Sequence, residues 1–256
     1  MMATTVPTDS SGGLIVVLLI VFLLGPFSLC LLFAVRFWLD SRTSNRRASR
    51  MRFVPQATRH ARSLLFERPG RWMAIKSTSA EEVREALGLD EAIPCSWDEG
   101  LTEAREQKLF VAPPVDGWVL VIGHCLPDPT DDPDRSFHFL RRLSERLGHV
   151  QFFSLNRIVN YHAWAIVDQG EVFRAYAWAD EVMWNQGPLT AAEREMKMRI
   201  RPYASKSERP LSSNEAGANC ERVIRLASRW GIDPAMVAEE VSNGEGGCVG
   251  RVIRGV

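Results

Sequence analysis

The segment that decides the fold is YHAWAIVDQGEVFRAYAW, from Tyr161 to Trp178. Its two halves, 161–167 and 172–178, are rich in aromatic and β-branched side chains, which favour β-strands. Asp168-Gln169-Gly170 joins the halves, and Gly170 can adopt the positive φ that a tight turn requires. The segment therefore predicts a β-hairpin, and with it an antiparallel sheet.

One face of this hairpin concentrates side chains that are typical of interfaces. A three-residue loop would place Trp164 opposite Arg174 and His162 opposite Tyr176. The side chains that then share a face are His162, Trp164, Arg174, Tyr176 and Trp178. They are our candidates for binding an unidentified protein partner, because Trp, Tyr and Arg dominate interface energies. The alternative is a second packed layer of the core; we expect Trp164 in the core and Arg174 at an exposed rim.

Similar signals extend the pattern on both sides of the hairpin. Short apolar runs bounded by turn residues predict strands at 72–76, 109–112, 118–122 and 150–154. Helices are predicted after Ser79, Asp132 and Thr190, which have side chains suited to helix N-caps. The order β-α-β-β-α-β-β-β-α predicts an α+β domain at 71–200 with a mainly antiparallel sheet and two to three helices. Its first six elements resemble a split βαβ, ferredoxin-like arrangement, which implies no function.

The C-terminal part is divided into a Pro- and Ser-rich linker at 201–216 and a helical tail at 217–256. Apolar residues at helical spacing predict an amphipathic helix ended by Gly231; they are Val223, Leu226, Ala227 and Trp230. Asp233-Pro234 predicts the start of a second short helix, and the glycines at 244–247 predict a loose end. Because this tail is too short to fold alone, we expect it to pack on the domain or on a partner.

The N-terminal part has a different composition. Leu14–Val35, LIVVLLIVFLLGPFSLCLLFAV, contains no charged residue, and about 20 apolar residues of helix cross a hydrocarbon core of about 30 Å. We therefore expect a transmembrane helix at 13–35, preceded by a short external N-terminus at 1–12. A cleaved signal peptide is the first alternative, but it would have a shorter apolar run and basic residues before it. A hairpin bent at Gly25-Pro26 is the second.

The arginines that follow this run set its expected orientation. Residues 36–62 carry eight arginines against Asp40 alone, a formal charge of +7, whereas no basic residue precedes Leu14. Since flanking Lys and Arg stay on the cytoplasmic side, the domain after the linker at 36–70 is expected in the cytoplasm. The expected partner of this segment is the lipid bilayer with its anionic headgroups. We expect six residues at the membrane interface: Arg36, Phe37, Trp38, Arg42, Arg46 and Arg47. From Ser63 onward 29 acidic residues outnumber 23 basic ones, which argues against nucleic-acid binding.

No sequence motif for a metal ion or a cofactor is present, and none is expected to bind. The five cysteines include no CxxC pair, so free thiols are expected rather than zinc ligands or disulfides. The acidic run PDPTDDPD at 127–134 lacks the ligand spacing of an EF-hand, and we interpret it as a solvated loop that caps the next helix. The catalytic candidates are Cys95, in a loop predicted at 94–97, and His162. Cys125 follows His124 at a strand end, so their side chains should point to opposite faces.

Three phrases resemble an uncharacterised family of bacterial membrane-anchored proteins: PCSWDEGL at 94–101, LFVAPPVDGWVLVIG at 109–123 and WNQGPLT at 184–190. The resemblance covers about 71–198 and implies a bacterial inner-membrane setting, but no activity. Taken together, the sequence predicts a single-pass, membrane-tethered cytoplasmic module that binds an unknown ligand or partner. The alternative is a membrane-anchored hydrolase with a thiol or histidine active site.

Overall fold

The structure is a computed structural model, which describes residues 70–203, 213–232, 237 and 246–252. No helix among these residues is long and apolar enough to cross a membrane. The predicted transmembrane helix at 13–35, the membrane-interface residues at 36–47 and the helix start at Asp233-Pro234 lie outside the described residues.

Strands and helices alternate along the described chain. The strands are β1 Gly70–Ile75, β2 Leu89–Cys95, β3 Leu109–Val111, β4 Val119–Ile122, β5 Val150–Asn156, β6 Tyr161–Asp168, β7 Glu171–Ala179, β8 Glu181–Gln186 and β9 Gly247–Val252. The helices are α1 Ala80–Ala86, α2 Trp97–Glu103, α3 Pro133–Leu147, α4 Ala191–Glu195 and α5 Ser213–Trp230. The strands form one antiparallel sheet in the order β2-β9-β3-β4-β1-β5-β6-β7-β8. The predicted α+β class and mainly antiparallel sheet are confirmed. The predicted number of two to three helices is too low, because the described residues form five.

The predicted helix starts are confirmed by their caps. The side chains of Ser79 and Asp132 accept hydrogen bonds from backbone N–H groups in the first turns of α1 and α3. Thr190 and Glu193 form the predicted capping box at α4. Each cap satisfies an N–H group that has no partner inside the helix. Local sequence therefore suffices to set these three boundaries.

The centre of the sheet has the predicted order. Strands β3, β4, β1 and β5 are neighbours in that sequence, which is the split βαβ arrangement expected for the first six predicted elements. Helices α1 and α3 cover one face of the sheet with Val83, Ala86, Leu140 and Leu143. The other face is covered by α2 and α5 through Trp97, Leu101, Val223 and Leu226. The sheet is therefore the middle of three layers.

Two segments differ from the prediction at the edge of the sheet. Residues 94–97, predicted as a loop, contain the end of β2 and the start of α2. Gly247, predicted in a loose end, instead begins β9, which lies between β2 and β3. A Cβ atom on Gly247 would lie 2.3 Å from the carbonyl oxygen of Val111, so glycine permits this close approach. The sheet thus continues past the boundary predicted at residue 200, and the tail packs on the domain.

The hairpin forms, but its register differs from the prediction. Gln169 and Gly170, with φ angles of 48° and 81°, make a two-residue turn of the type that suits twisted strands. Ile166 then pairs with Arg174 and Val167 with Val172, which leaves Phe173 in a β-bulge. The predicted pairing of Trp164 with Arg174 is wrong by two positions. Because a two-residue shift preserves the alternation of side chains, the predicted set still shares one face.

Candidate functional site

The five candidates for a partner site on the hairpin are interior residues. Helix α5 covers their face of the sheet, and His162, Trp164, Arg174, Tyr176 and Trp178 are all buried. The ring of Trp164 lies 5.6 Å from that of His162 and 5.0 Å from that of Tyr176, measured between centroids. The expectation that Trp164 belongs to the core is confirmed. The expectation that Arg174 lies at an exposed rim is wrong, since only 1% of it is exposed.

Burial of Arg174 is explained by its partners. Its Nε donates to Oε1 of Glu193 at 2.8 Å, and its Nη1 donates to Oδ1 of Asn185 at 2.8 Å. Glu193 also accepts from Nε1 of Trp164 at 2.9 Å and from the backbone N–H of Thr190 at 2.7 Å. A buried charge is tolerated when it is paired and hydrogen-bonded in this way. The cluster joins β6, β7, β8 and α4, so its role is structural.

A second buried cluster brings His162 next to a cysteine of the tail. Sγ of Cys220 lies 3.7 Å from Nδ1 of His162, and Nδ2 of Asn219 lies 3.3 Å from Nε2. The sequence does not reveal this cluster, because α5, more than fifty residues further along the chain, supplies two of its three members. Cysteine, histidine and asparagine are also the side chains of one type of thiol catalytic site. The geometry must therefore be tested for activation of the thiol.

The hydrogen bonds assign the histidine proton to the wrong nitrogen for catalysis. Asn219 is oriented by the backbone of Arg199, which donates to its Oδ1 at 3.0 Å and accepts from its Nδ2 at 2.6 Å. Nε2 of His162 therefore faces a donor, and a neutral imidazole then carries its proton on Nδ1, towards the sulfur. Burial lowers the pKa of His162 to about 4 and raises the pKa of Cys220 to about 11. This pair is a neutral packing contact, not an activated nucleophile.

The other catalytic candidate, Cys95, also has no base beside it in the described ranges. The pKa of Cys95 is raised to about 11, mainly because the thiol is partly buried and secondly because Cys248 lies nearby. Burial raises the pKa of Cys125 as well. In the described part of the chain no hydrogen bond joins either thiol to a histidine. Both thiols are therefore weak nucleophiles at neutral pH.

A cavity of about 400 Å³ opens at the end of the sheet where β1 begins. Its wall combines the start of β1, the loop between β4 and α3, and the turns β5–β6 and β7–β8. The polar side chains that line it include Arg71, His124, Asp128, Asn156, Tyr161 and Asp180. Four separate parts of the sequence thus meet at one place, which is typical of ligand sites.

The floor of the cavity is organised by Asp128, which is only 5% exposed. Its Oδ2 lies 2.5 Å from Nη2 of Arg71. Its Oδ1 accepts from the hydroxyl of Tyr161 at 2.5 Å and from the backbone N–H of Thr130 at 2.9 Å. The interpretation of the whole acidic run as a solvated loop is wrong for this residue. The missed signal is Asp128-Pro129-Thr130, since aspartate commonly bonds the backbone two residues on.

The same network fixes the loop that forms the cavity wall. Nη1 of Arg71 donates to the carbonyl oxygens of His124 at 2.9 Å and of Leu126 at 2.5 Å. Burial and the adjacent Asp128 raise the pKa of Tyr161 well above its usual value. Tyr161 therefore keeps its proton and donates a hydrogen bond to the carboxylate of Asp128. Because these donors occupy the oxygens of Asp128, the carboxylate is a poor general base for a substrate.

The groups left for a ligand lie at the rim. His124 is solvent-exposed on one side; partial burial, with Arg71 and Arg105 nearby, lowers its pKa. At neutral pH it is an uncharged imidazole that can donate or accept. Asp180 supplies an exposed carboxylate on the opposite turn. Among the described residues, no three His, Cys, Asp or Glu side chains are placed to hold a metal ion.

The arrangement offers binding contacts without an activated nucleophile in the described residues. The resemblance to a bacterial membrane-anchored family stays a prediction. No family model, curated protein or solved structure matches the chain.

Proposed function

We propose that this protein is a membrane-tethered module that binds a small polar molecule in the cavity at the start of β1. The observation that carries the proposal is the construction of that cavity. A hydrogen-bonded network of Arg71, Asp128 and Tyr161 holds its wall in place, while neutral and acidic groups remain at the rim. A preformed polar wall of this kind favours binding, because little has to be ordered when the ligand arrives.

The rim restricts the class of ligand. The carboxylate of Asp180 accepts hydrogen bonds or pairs with a cationic group, and the imidazole of His124 and the amide of Asn156 can donate. A ligand that satisfies these groups carries both donors and acceptors, as amino acids, amino sugars and nucleosides do. The volume of about 400 Å³ lies in the lower part of the range for small-molecule sites. We therefore favour a neutral or zwitterionic molecule of that size.

The tether is supported by the sequence. The uncharged run Leu14–Val35 and the arginines at 36–62 together are typical of a single span with the following domain in the cytoplasm. The ligand cavity begins at Gly70 and Arg71, directly after the linker. The proposed site thus lies where the chain leaves that linker.

Fractionation of cells that express the full-length protein tests the tether. We expect the protein to stay in the membrane pellet after an alkaline carbonate wash and to be released by detergent. A reporter enzyme that functions only in the cytoplasm should be active when it is fused after Val256. Release by the carbonate wash, or activity of a reporter that works only outside the cytoplasm, would contradict the tether.

The ligand site is tested with detergent-solubilised full-length protein and thermal-shift screening of amino acids, amino sugars and nucleosides. A true ligand should raise the melting temperature of the wild type but not of Asp180→Lys. The matched control is Asp116→Lys in the turn between β3 and β4, because Asp116 and Asp180 share a positive φ, 51° and 61°. A ligand whose shift survives Asp180→Lys binds elsewhere and would overturn the assignment of the site.

A further inference from the structure

We propose that the turn between β5 and β6, residues 157–160, is a second membrane contact that docks the domain on the bilayer surface. The inference rests on the proposed tether, which would keep this turn close to the membrane. Its occupant is the phospholipid interface, with Ile158 and Val159 in the headgroup region and Arg157 beside the phosphates. The contact adjoins the ligand cavity, because Val159 also lies at the cavity rim.

The turn exposes two consecutive aliphatic side chains. Ile158 is 83% exposed and Val159 is 59% exposed. The other exposed large hydrophobic residues in the described ranges are separated along the chain; they are Ile93, Phe173, Leu189 and Tyr203. Single exposed apolar residues are common on protein surfaces, whereas two adjacent aliphatic side chains at the tip of a turn form one contiguous apolar patch. Arg157, next to the pair, is also exposed.

The turn is ordered by its own hydrogen bonds. The backbone N–H of Ile158 donates to Oδ1 of Asn156 at 3.0 Å. Asn160 adopts a φ of 53°, a conformation that asparagine accepts more readily than most residues. Directly below the tip, Asn156 pairs with Tyr161 and closes the two strands. The aliphatic pair is therefore held outwards by a defined conformation, so docking would require little extra ordering.

The pairing of β1 with β5 places the turn close to Gly70, the first residue of the described domain. Gly70, the first residue of β1, pairs with Leu155 near the end of β5. The 34 residues 36–69 lie between the apolar run and Gly70, and fully extended they would reach about 110–120 Å. The tether alone would therefore leave the domain free to rotate. It would also hold the domain at high effective concentration near the lipid, so that even a weak contact becomes populated.

The charges around the turn decide how it would meet the bilayer. Arg157 can pair with phosphate, but Asp180, in the neighbouring turn between β7 and β8, and Glu181, the first residue of β8, are also exposed. These carboxylates oppose a strong attraction to anionic lipid. The aliphatic side chains, rather than net charge, would therefore provide the contact. We expect docking on zwitterionic and anionic bilayers alike.

Photo-crosslinking of the full-length protein tests the inference. The protein is reconstituted in vesicles of phosphatidylcholine and phosphatidylglycerol that contain a phospholipid with a diazirine group. After illumination and trypsin digestion, two fragments decide the result: Met1–Arg36 and Ile158–Arg174. We expect lipid on both, and fragmentation should place it at Ile158 and Val159. Phe173, 57% exposed in the same fragment but at the other end of the hairpin, should carry none.

Two variants sharpen the test. Joint replacement Ile158→Asp and Val159→Asp should abolish lipid labelling of the second fragment and leave the first labelled. Phe173→Asp, the matched control, should leave both fragments labelled. Label on Met1–Arg36 alone would overturn the docking contact but support the tether. Label on Ile158–Arg174 alone would support the contact and overturn the tether, and label on neither fragment would overturn both.

Discussion

Replacement of Glu193 by glutamine should destabilise the protein more than any surface substitution. Glutamine keeps the shape of the side chain but brings one acceptor oxygen where the carboxylate has two. Arg174, Trp164 and Thr190 all donate to the carboxylate. At least one of these donors loses its acceptor, and the guanidinium of Arg174 loses its counter-charge.

The size of the effect follows from burial. Both side chains of the ion pair are inaccessible to solvent, at 1% and 0% exposure, so water cannot replace the lost partner. Removing one member of such a pair costs about 3–5 kcal/mol. Because Arg174 keeps its bonds to Asn185 and to the carbonyl of Ala175, we expect Glu193→Gln to cost about 3 kcal/mol.

Urea denaturation of the detergent-solubilised protein, followed by tryptophan fluorescence, measures the loss. The double variant Arg174→Met with Glu193→Gln removes both charges and should be more stable than the sum of the single changes predicts. The exposed pair Arg229–Glu195, with a nitrogen–oxygen distance of 3.0 Å, is the matched control; Glu195→Gln should cost less than about 1 kcal/mol. If Glu193→Gln cost no more than this control, the burial of the cluster would be refuted.

Three further predictions concern the interior and the cavity. Trp164→Ala should cost about 3–5 kcal/mol, visible as a large fall in melting temperature, and a near-normal melting curve would place Trp164 on the surface. The pKa of His162 is lowered to about 4 in the folded protein, so the unfolded chain binds the proton more tightly. Stability should therefore fall as the pH drops from about 6.5 to 4. A series of melting temperatures over this pH range checks the prediction, and His162→Gln should flatten that part of the profile. Tyr161→Phe leaves Asp128 without its shortest hydroxyl donor and should cost about 1–3 kcal/mol, whereas an unchanged urea midpoint would show that the hydroxyl faces water.

Local signals in the sequence are enough to predict much of the fold. Ser79, Asp132 and Thr190 mark helix starts because a cap depends on residues within one turn. The strands of the hairpin follow from their aromatic and β-branched content, and Gly170 marks the turn. These features need no knowledge of distant parts of the chain.

The remaining elements depend on distant partners. Strand β9 carries Gly247 and Gly250 and has little strand propensity, yet it pairs on both sides with β2 and β3. The hairpin register depends on the bulge at Phe173, which no hydrophobic pattern specifies. Periodicity alone cannot distinguish a second core face from an exposed one, and here α5 decides the matter by covering His162.

The candidate site was harder still to predict. Asp128 was placed in a solvated loop, because its partners Arg71 and Tyr161 lie 57 and 33 residues away in sequence. The pairing of His162 with Cys220 likewise joins two distant segments. In both cases the sequence contains the residue types. Only the packing at the end of the sheet where β1 begins, and the packing of α5, bring them together.

The most direct test of the proposed function is native mass spectrometry of the full-length protein released from membranes in mild detergent. We expect the wild type and Asp116→Lys to carry the same small bound molecule, and Asp180→Lys to carry none. Two results would contradict a binding site in the cavity at the start of β1. One is the same adduct on all three proteins, and the other is no adduct on the wild type when the ligand found by thermal shift is added.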